Sequence, residues 1–173
     1  MKNKIFFFKT KAKTLLELSK NLNKKFFLKQ EIVKIDEWKI NKNKILSRIE
    51  KNFKDDLLAI RSSGEMEDKD DFSNAGVYKS FLNISNDPRN LSIAINNVIK
   101  SYQNDNAHEV LVQPMLKNVE LSGVVLTKDI KNGTPYIVIN YDDFSGKTDT
   151  VTGGAQSKSI YILNGKDDKI KSK

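Results

Sequence analysis

At 173 residues, 38% of them hydrophobic, the chain is long enough to bury the core of one ordinary domain or two small lobes without covalent staples. It has no cysteine, which excludes disulfides, thiolate metal sites and a cysteine nucleophile and fits a reducing compartment. The net charge of +8 invites a nucleic-acid surface, but Arg48, Arg61 and Arg89 are the only arginines among 30 cationic residues, leaving 27 lysines spread among asparagines, a pattern of solvation. No apolar run approaches the roughly 20 residues a bilayer span needs, and Ile5 to Phe8 is too short for a signal-peptide core. The expectation is a cytoplasmic protein with neither membrane nor nucleic acid among its partners.

Ile5 to Phe8 reads as a short strand. A helix follows from about Thr10 to Asn23, with Leu15, Leu18 and Leu22 on one face. Residues 26 to 35 are apolar and β-branched enough for a strand, and Asp36 to about Lys54 makes a second helix with Ile45, Leu46, Ile49 and Phe53 at helical spacing. Trp38 belongs to the core or to an interface between lobes. Leu57 to Ile60 is an apolar strand that delivers Arg61 and the hydroxyls of Ser62 and Ser63 at its exit, where a polyanion would meet a fixed guanidinium and small donors. The following loop is acidic first (Glu65, Glu67, Asp68, Asp70, Asp71) and small afterwards (Ser73, Asn74, Ala75, Gly76). Gly76 lets the backbone approach a phosphate closely, and the carboxylates either hold a divalent metal or simply solvate the loop.

A second strand closes that loop, ending near Ile84. Asp87-Pro88 is a helix start, a side-chain cap followed by proline at the first helical position, and the helix runs to about Tyr102, burying Leu91, Ala94, Ile95, Val98 and Tyr102. After a polar break at 103–107 comes His108, the only histidine. A phosphoryl-carrying histidine must be exposed beside its acceptor, and the start of a strand suits a loop-edge residue instead. Glu109 to Leu116 is a strand containing Pro114. Asn132-Gly133 signals a hairpin turn before a returning strand, Pro135 to Tyr141. Ser159 to Leu163 is a last strand, and residues 166 to 173 form a charged, frayed tail.

The segment R-S-S-G-E-M-E-D-K-D-D-F-S-N-A-G, followed by V-Y-K-S-F-L-N-I, resembles a stretch of the phosphoenolpyruvate synthase, pyruvate phosphate dikinase and rifampin phosphotransferase family. There it usually reads V-R-S-S-A-x-x-E-D-x-x-x-x-S-F-A-G-x-x-x-T-F-L-N-V, and the spacing from Arg61 to the Phe81-Leu82-Asn83 triplet is kept without a gap. Asn74 stands where the family has phenylalanine. Lys11, with Leu15, Glu17 and Leu18 in step, falls on the lysine of the opening motif G-G-K-x-x-N-L-x-E-L; the glycines before it are missing, and Lys13 is the alternative phosphate ligand. V-L-V-Q-P-M-L, residues 110 to 116, is similar to V-L-V-Q-x-M-V. L-S-G-V-V-L-T-K-D, residues 121 to 129, is similar to A-G-V-x-F-T-R-D, with Lys128 replacing a bidentate arginine by a point charge. Residues 143 to 153 depart from the family's G-L-G-E-x-V-V-S-G. The T-G-G-A-Q-S-K-S run at 152–159 carries lysine where a phosphohistidine motif would carry histidine, which excludes that comparison.

The resemblance implies an α+β, ATP-grasp-like nucleotide-binding domain, partial, with a mixed, mainly antiparallel sheet and flanking helices, over residues 1–165, with a lobe hinge near 113–116. It implies Lys11, Arg61, Ser73 and Gly76 as ligands of the ATP phosphates and Gln113, Pro114, Met115 and Leu116 as the adenine site. Glu67 and Asp68 would orient Arg61 or touch metal, with ATP and Mg2+ as cofactors. It covers about residues 8 to 165, corresponding to about the first half of the family's domain; the later segment D-I-E-W…L-Q-x-R, which completes the metal and phosphate site, is not found in these residues. The implied partners are therefore the nucleotide, the second half of the domain, and a phosphohistidine domain, in cis or as a separate chain. The whole enzyme would move phosphate from ATP through a histidine to a small acceptor such as pyruvate or an amide or hydroxyl compound, whereas this chain alone would bind nucleotide weakly and not turn over. The alternative is a non-catalytic nucleotide-binding or interaction module that retains the fold.

Overall fold

The computed structural model describes residues 9–54, 57–64, 78–102, 108–130, 132–154 and 157–163, and the backbone of 170–172. The expected strand at Ile5 to Phe8 lies outside them. The chain divides into two compact units, Met1–Met115 and Leu116–Lys173.

The first unit contains helix α1 (Lys11–Asn21), strand β1 (Glu31–Lys34), helix α2 (Ile35–Asn52), strands β2 (Leu57–Ser63) and β3 (Phe81–Ser85), helix α3 (Pro88–Ser101) and strand β4 (Glu109–Pro114). The strands form one antiparallel sheet in the order β1-β4-β2-β3. Helix α3 follows its sequence signals closely. Asp87 caps it by accepting from the Asn90 N–H at 2.9 Å, Pro88 takes the first position, and Leu91, Ala94, Ile95 and Val98 are buried, with Tyr102 just beyond. Helix α2 buries Ile45, Leu46 and Ile49, with Phe53 at its end, and it kinks at Asn41, whose φ of −122° is not helical. Trp38 is a core residue, and its indole N–H donates to Asn96 Oδ1 of α3 at 2.9 Å.

Two expectations here need correction. The strand predicted over 26–35 is a single 3-10 turn (Lys24–Phe26) and a four-residue β1, because β4 offers pairing only from Glu109 opposite Lys34 to Val112 opposite Glu31. Helix α1 ends at Asn21, leaving Leu22 exposed as its C-cap rather than on an apolar face.

Sheet alternation divides the unit into two environments. Val33, Leu58, Ile60, Val110 and Val112 point into the core beneath α2 and α3. Their neighbours Ala59, Arg61 and Ser63 on β2 take the opposite face, in register with Gln113, Leu111 and Glu109 on β4. Helix α1 is attached on that second face.

The second unit is an antiparallel meander of β5 (Ser122–Leu126), β6 (Tyr136–Asp142), β7 (Lys158–Leu163) and β8 (Ile170–Ser172). Gly133, at φ +65°, closes the β5–β6 connection, its N–H donating to Asp129 O at 2.9 Å. Gly123 is required for a different reason: a Cβ there would lie 2.5 Å from the Asn140 carbonyl oxygen. The backbone of 170–172 pairs with β7, so part of the stretch read as a frayed tail is a sheet edge. Among the described residues no helix is long and apolar enough to cross a membrane.

Candidate functional site

The first turn of α1 hangs from the sheet by side chains separated widely in sequence. Thr10 is the N-cap, its Oγ1 accepting from the Lys13 N–H at 3.3 Å while its hydroxyl donates to Glu109 Oε2 at 2.9 Å. Glu109 Oε1 also pairs with Lys13 Nζ at 3.1 Å. The Ala12 N–H donates to Ser63 Oγ at 2.9 Å, and Gln30 Nε2 donates to the Ala12 carbonyl at 3.2 Å. Glu109 is held by its backbone too: its carbonyl accepts from the Tyr102 hydroxyl at 2.6 Å, and the Tyr102 hydroxyl oxygen accepts from the Ser63 N–H at 2.9 Å. A buried carboxylate without partners would be strongly unfavourable, and here both of its oxygens are engaged.

Lys11 opens α1 between two residues fixed in this way, Thr10 and Ala12. The first turn carries Lys11 and Lys13 and no acidic residue, which opposes the usual preference for negative charge at a helix start by about 0.3–1 kcal/mol per charge. Arg61, half-buried, stands two residues before Ser63 on the same face. The sequence reading set Arg61, Ser62 and Ser63 at the exit of the strand; β2 extends through all three because β4 pairs with it as far as Ser63 opposite Glu109. The two serines are then structural. Ser62 is buried on the core face and Ser63 receives the α1 amide.

Gln113 and Pro114 end β4, with Met115 following and Leu116 opening the second unit. The Met115 N–H donates to the Leu57 carbonyl at 2.9 Å, and Pro114 has no N–H. Antiparallel alternation then turns the Pro114 backbone away from β2. Ser73, Gly76, Glu67 and Asp68 lie outside the described residues. Among the described ones, no three His, Cys, Asp or Glu side chains gather as a metal-binding group. Glu109, the buried carboxylate of this face, is already engaged, so the described residues by themselves do not form the cation site that the resemblance implies.

His108 is buried rather than at a loop edge, stacked on Tyr102 with centroids 4.3 Å apart and tilted against Tyr78 at 5.6 Å. Its Nδ1 has no hydrogen-bond partner among the described residues, and a Cβ on Gly64 would lie 2.6 Å from it. Burial of this kind excludes a phosphate shuttle at this histidine. In the second unit, the segment that departs from the family pattern closes on itself. Asp142 accepts from the N–H groups of Phe144 (2.9 Å) and Ser145 (3.0 Å) and from the Ser145 hydroxyl, which contacts Thr150 Oγ1 at 2.8 Å. The Ser145 hydroxyl first, then these amides and Thr150, hold the Asp142 carboxyl well below the ordinary carboxylate range.

Sequence reasoning missed Glu109, Thr10 and Tyr102 as parts of the site. The available signal was a lone acidic residue opening an otherwise apolar strand, E-V-L-V, beside a threonine in N-cap position.

These features define an α+β domain with a buried core on one side of its first sheet and helix α1, Arg61 and Glu109 on the other. Residues 9–173 match the family described as pyruvate phosphate dikinase, AMP/ATP-binding domain, and the chain belongs to that family. It is thus an AMP/ATP-binding domain of the kind carried by dikinase-type enzymes. No curated protein matches the chain.

Proposed function

We propose that the Arg61 face of the first sheet receives the phosphates of ATP, with Lys11 and Arg61 as the cations. The observation that carries this reading is that α1 is bonded through Ala12 to Ser63, on the face and strand of Arg61. Lys13, the alternative phosphate ligand, pairs with Glu109 at 3.1 Å. Ser73 and Gly76 would cover the phosphates, and Glu67 and Asp68 would orient Arg61 or hold Mg2+.

The adenine would lie against Gln113, Pro114, Met115 and Leu116. The Met115 amide is used by Leu57 and Pro114 has no N–H, so neither would donate to the purine edge. In the whole enzyme, phosphate would pass from ATP through a histidine on a further domain to a small acceptor in the cytoplasm. The self-closed turn at Asp142 supports a second reading, a nucleotide-binding module without turnover, since it occupies a segment that in the family carries glycines.

Calorimetric titration with Mg-ATP tests the proposal. The chain binds, and Arg61→Ala weakens binding roughly ten- to a hundredfold, as expected for a charge-assisted contact of about 1.5–3 kcal/mol. Equal binding by both proteins would remove Arg61 from the site, and no binding by either at millimolar ATP would end the nucleotide reading.

A further inference from the structure

We infer that strand β5 is a self-complementary sheet edge, and that it pairs with β5 of a second copy of this chain, antiparallel, about a twofold axis at Val124. Among the described residues the two sheets have four edges, β1 and β3 in the first unit and β5 and β8 in the second. Unpaired edges invite association, and native proteins protect them by short length, charge or irregularity. Strand β1 has four residues with Glu31 and Lys34 at its ends. Strand β3 meets β2 through a register shift between Leu58 and Ile60, and its Asn83 has a φ of +56°. Strand β8 has three residues with Lys171 at the centre. Strand β5 has none of these devices. Ser122-Gly123-Val124-Val125-Leu126 carries no charge, keeps unbroken register with β6 over all five residues and, among the described residues, pairs with no other strand.

This edge is complementary to its own reverse. About Val124, Gly123 meets the partner's Val125, Ser122 meets the partner's Leu126, and Leu121 meets the partner's Thr127. Residues 121, 123, 125 and 127 are exposed and 122, 124 and 126 half-buried, so the first set shares the open face. Gly123 must stay bare there, because a Cβ would lie 2.5 Å from the Asn140 carbonyl oxygen. The partner's Val125 covers that bare backbone and lies diagonal to Leu121, so Leu121 and Val125 of two copies join in one apolar strip. Just beyond the strand ends, Glu120 and Lys128 are exposed, and neither has an ion-pair partner among the described residues. The pairing sets each of them against the opposite charge of the other copy. A slip of one residue in either direction separates these charges and moves Val125 off the partner's Gly123. Charge and shape therefore select the same register.

A ladder this short belongs with the small, weak interfaces, so the dimer grows in only at high concentration. Sedimentation velocity from micromolar to millimolar protein measures it. The unaltered chain should pass from monomer to dimer with no larger species, because pairing about a twofold axis closes. Val125→Lys, which charges the edge, should weaken dimerisation at least about tenfold. Glu120→Lys and Lys128→Glu each set like charges opposite one another twice and should each weaken it about fivefold, whereas the two changes together should restore it to within about twofold. The chain has no cysteine, so Val124→Cys introduces a single thiol on the axis. Opposed Cα atoms in an antiparallel pair are close enough for a disulfide, so this variant should cross-link on mild oxidation, and Thr127→Cys, far from its own copy, should not.

Circular dichroism confirms the fold of each variant, all but Val124→Cys being changed at exposed positions. A concentration-dependent dimer, its loss in Val125→Lys and mutual rescue of the two charge reversals support the pairing. A monomer at every concentration, a dimer indifferent to folded Val125→Lys, or charge reversals that do not rescue each other overturns it.

Discussion

The two units solve the burial problem differently. In the first, two helices cover one face of a four-stranded sheet, and the core runs without a break from Val33 through Trp38, Ile49 and Phe53 to Leu91, Val98 and Val112. In the second, the described residues form a sheet and turns with no helix, and among them Val138 is the only hydrophobic side chain that is buried. Leu121, Val125 and Ile130 stay exposed there, and Phe144 is 96% exposed. A sheet without a covering layer cannot exclude water from both faces. The first unit therefore has the apolar burial to hold a polar cluster such as Glu109, Thr10 and Ser63 in place, and the second depends on turns and strand pairing.

Stability measurements can break this contrast. Phe53→Ala should cost the first unit about 3–5 kcal/mol, and Val138→Ala should cost the second about 1–2 kcal/mol. Trp38 is the only tryptophan and sits in the first core, so its fluorescence during denaturant unfolding reports that unit alone. The midpoint should move strongly for Phe53→Ala and little for Val138→Ala; equal shifts would mean the units unfold as one. Gly123→Ala sharpens the other side. With a Cβ driven against the Asn140 carbonyl, the second unit should lose about 1–3 kcal/mol while the Trp38 transition stays where it was.

The smallest expected effect is the acid response of the Asp142 turn. Its carboxyl is depressed below its ordinary value of 3.8, so the stabilisation it gives is complete above that value and lost only as pH falls through the lower folded value. Relative to their intrinsic exchange rates, the Phe144 and Ser145 amides should stay protected at pH 5 and lose protection in stronger acid, and Asp142→Asn should lower that protection at pH 5. Rapid exchange already at pH 5 would contradict the turn.

Local chemistry was legible in the sequence, and long-range pairing was not. Helix α3 could be read to within a residue because its cap, its proline and its 3.6-residue spacing are all local. The unbroken spacing from Arg61 to the Phe81-Leu82-Asn83 triplet pointed to the family. The extension of β2 through Ser63, the shortness of β1 and the clasp between Thr10 and Glu109 depend on strand register and on contacts up to 99 residues apart, which no local pattern encodes. Ser62 and Ser63 show the limit clearly: two identical side chains side by side take opposite faces, and only alternation within the observed strand tells them apart.

The central claim, that nucleotide sits on the Arg61 face of the first sheet, is tested most directly by paramagnetic broadening with Mn-ATP in place of Mg-ATP. The metal should broaden the signals of Lys11, Arg61 and Ser63 most strongly and those of Ile45 and Ile95, on the helices that cover the core face of the sheet, least. Broadening confined to the second unit, or equal on both faces, would contradict the account.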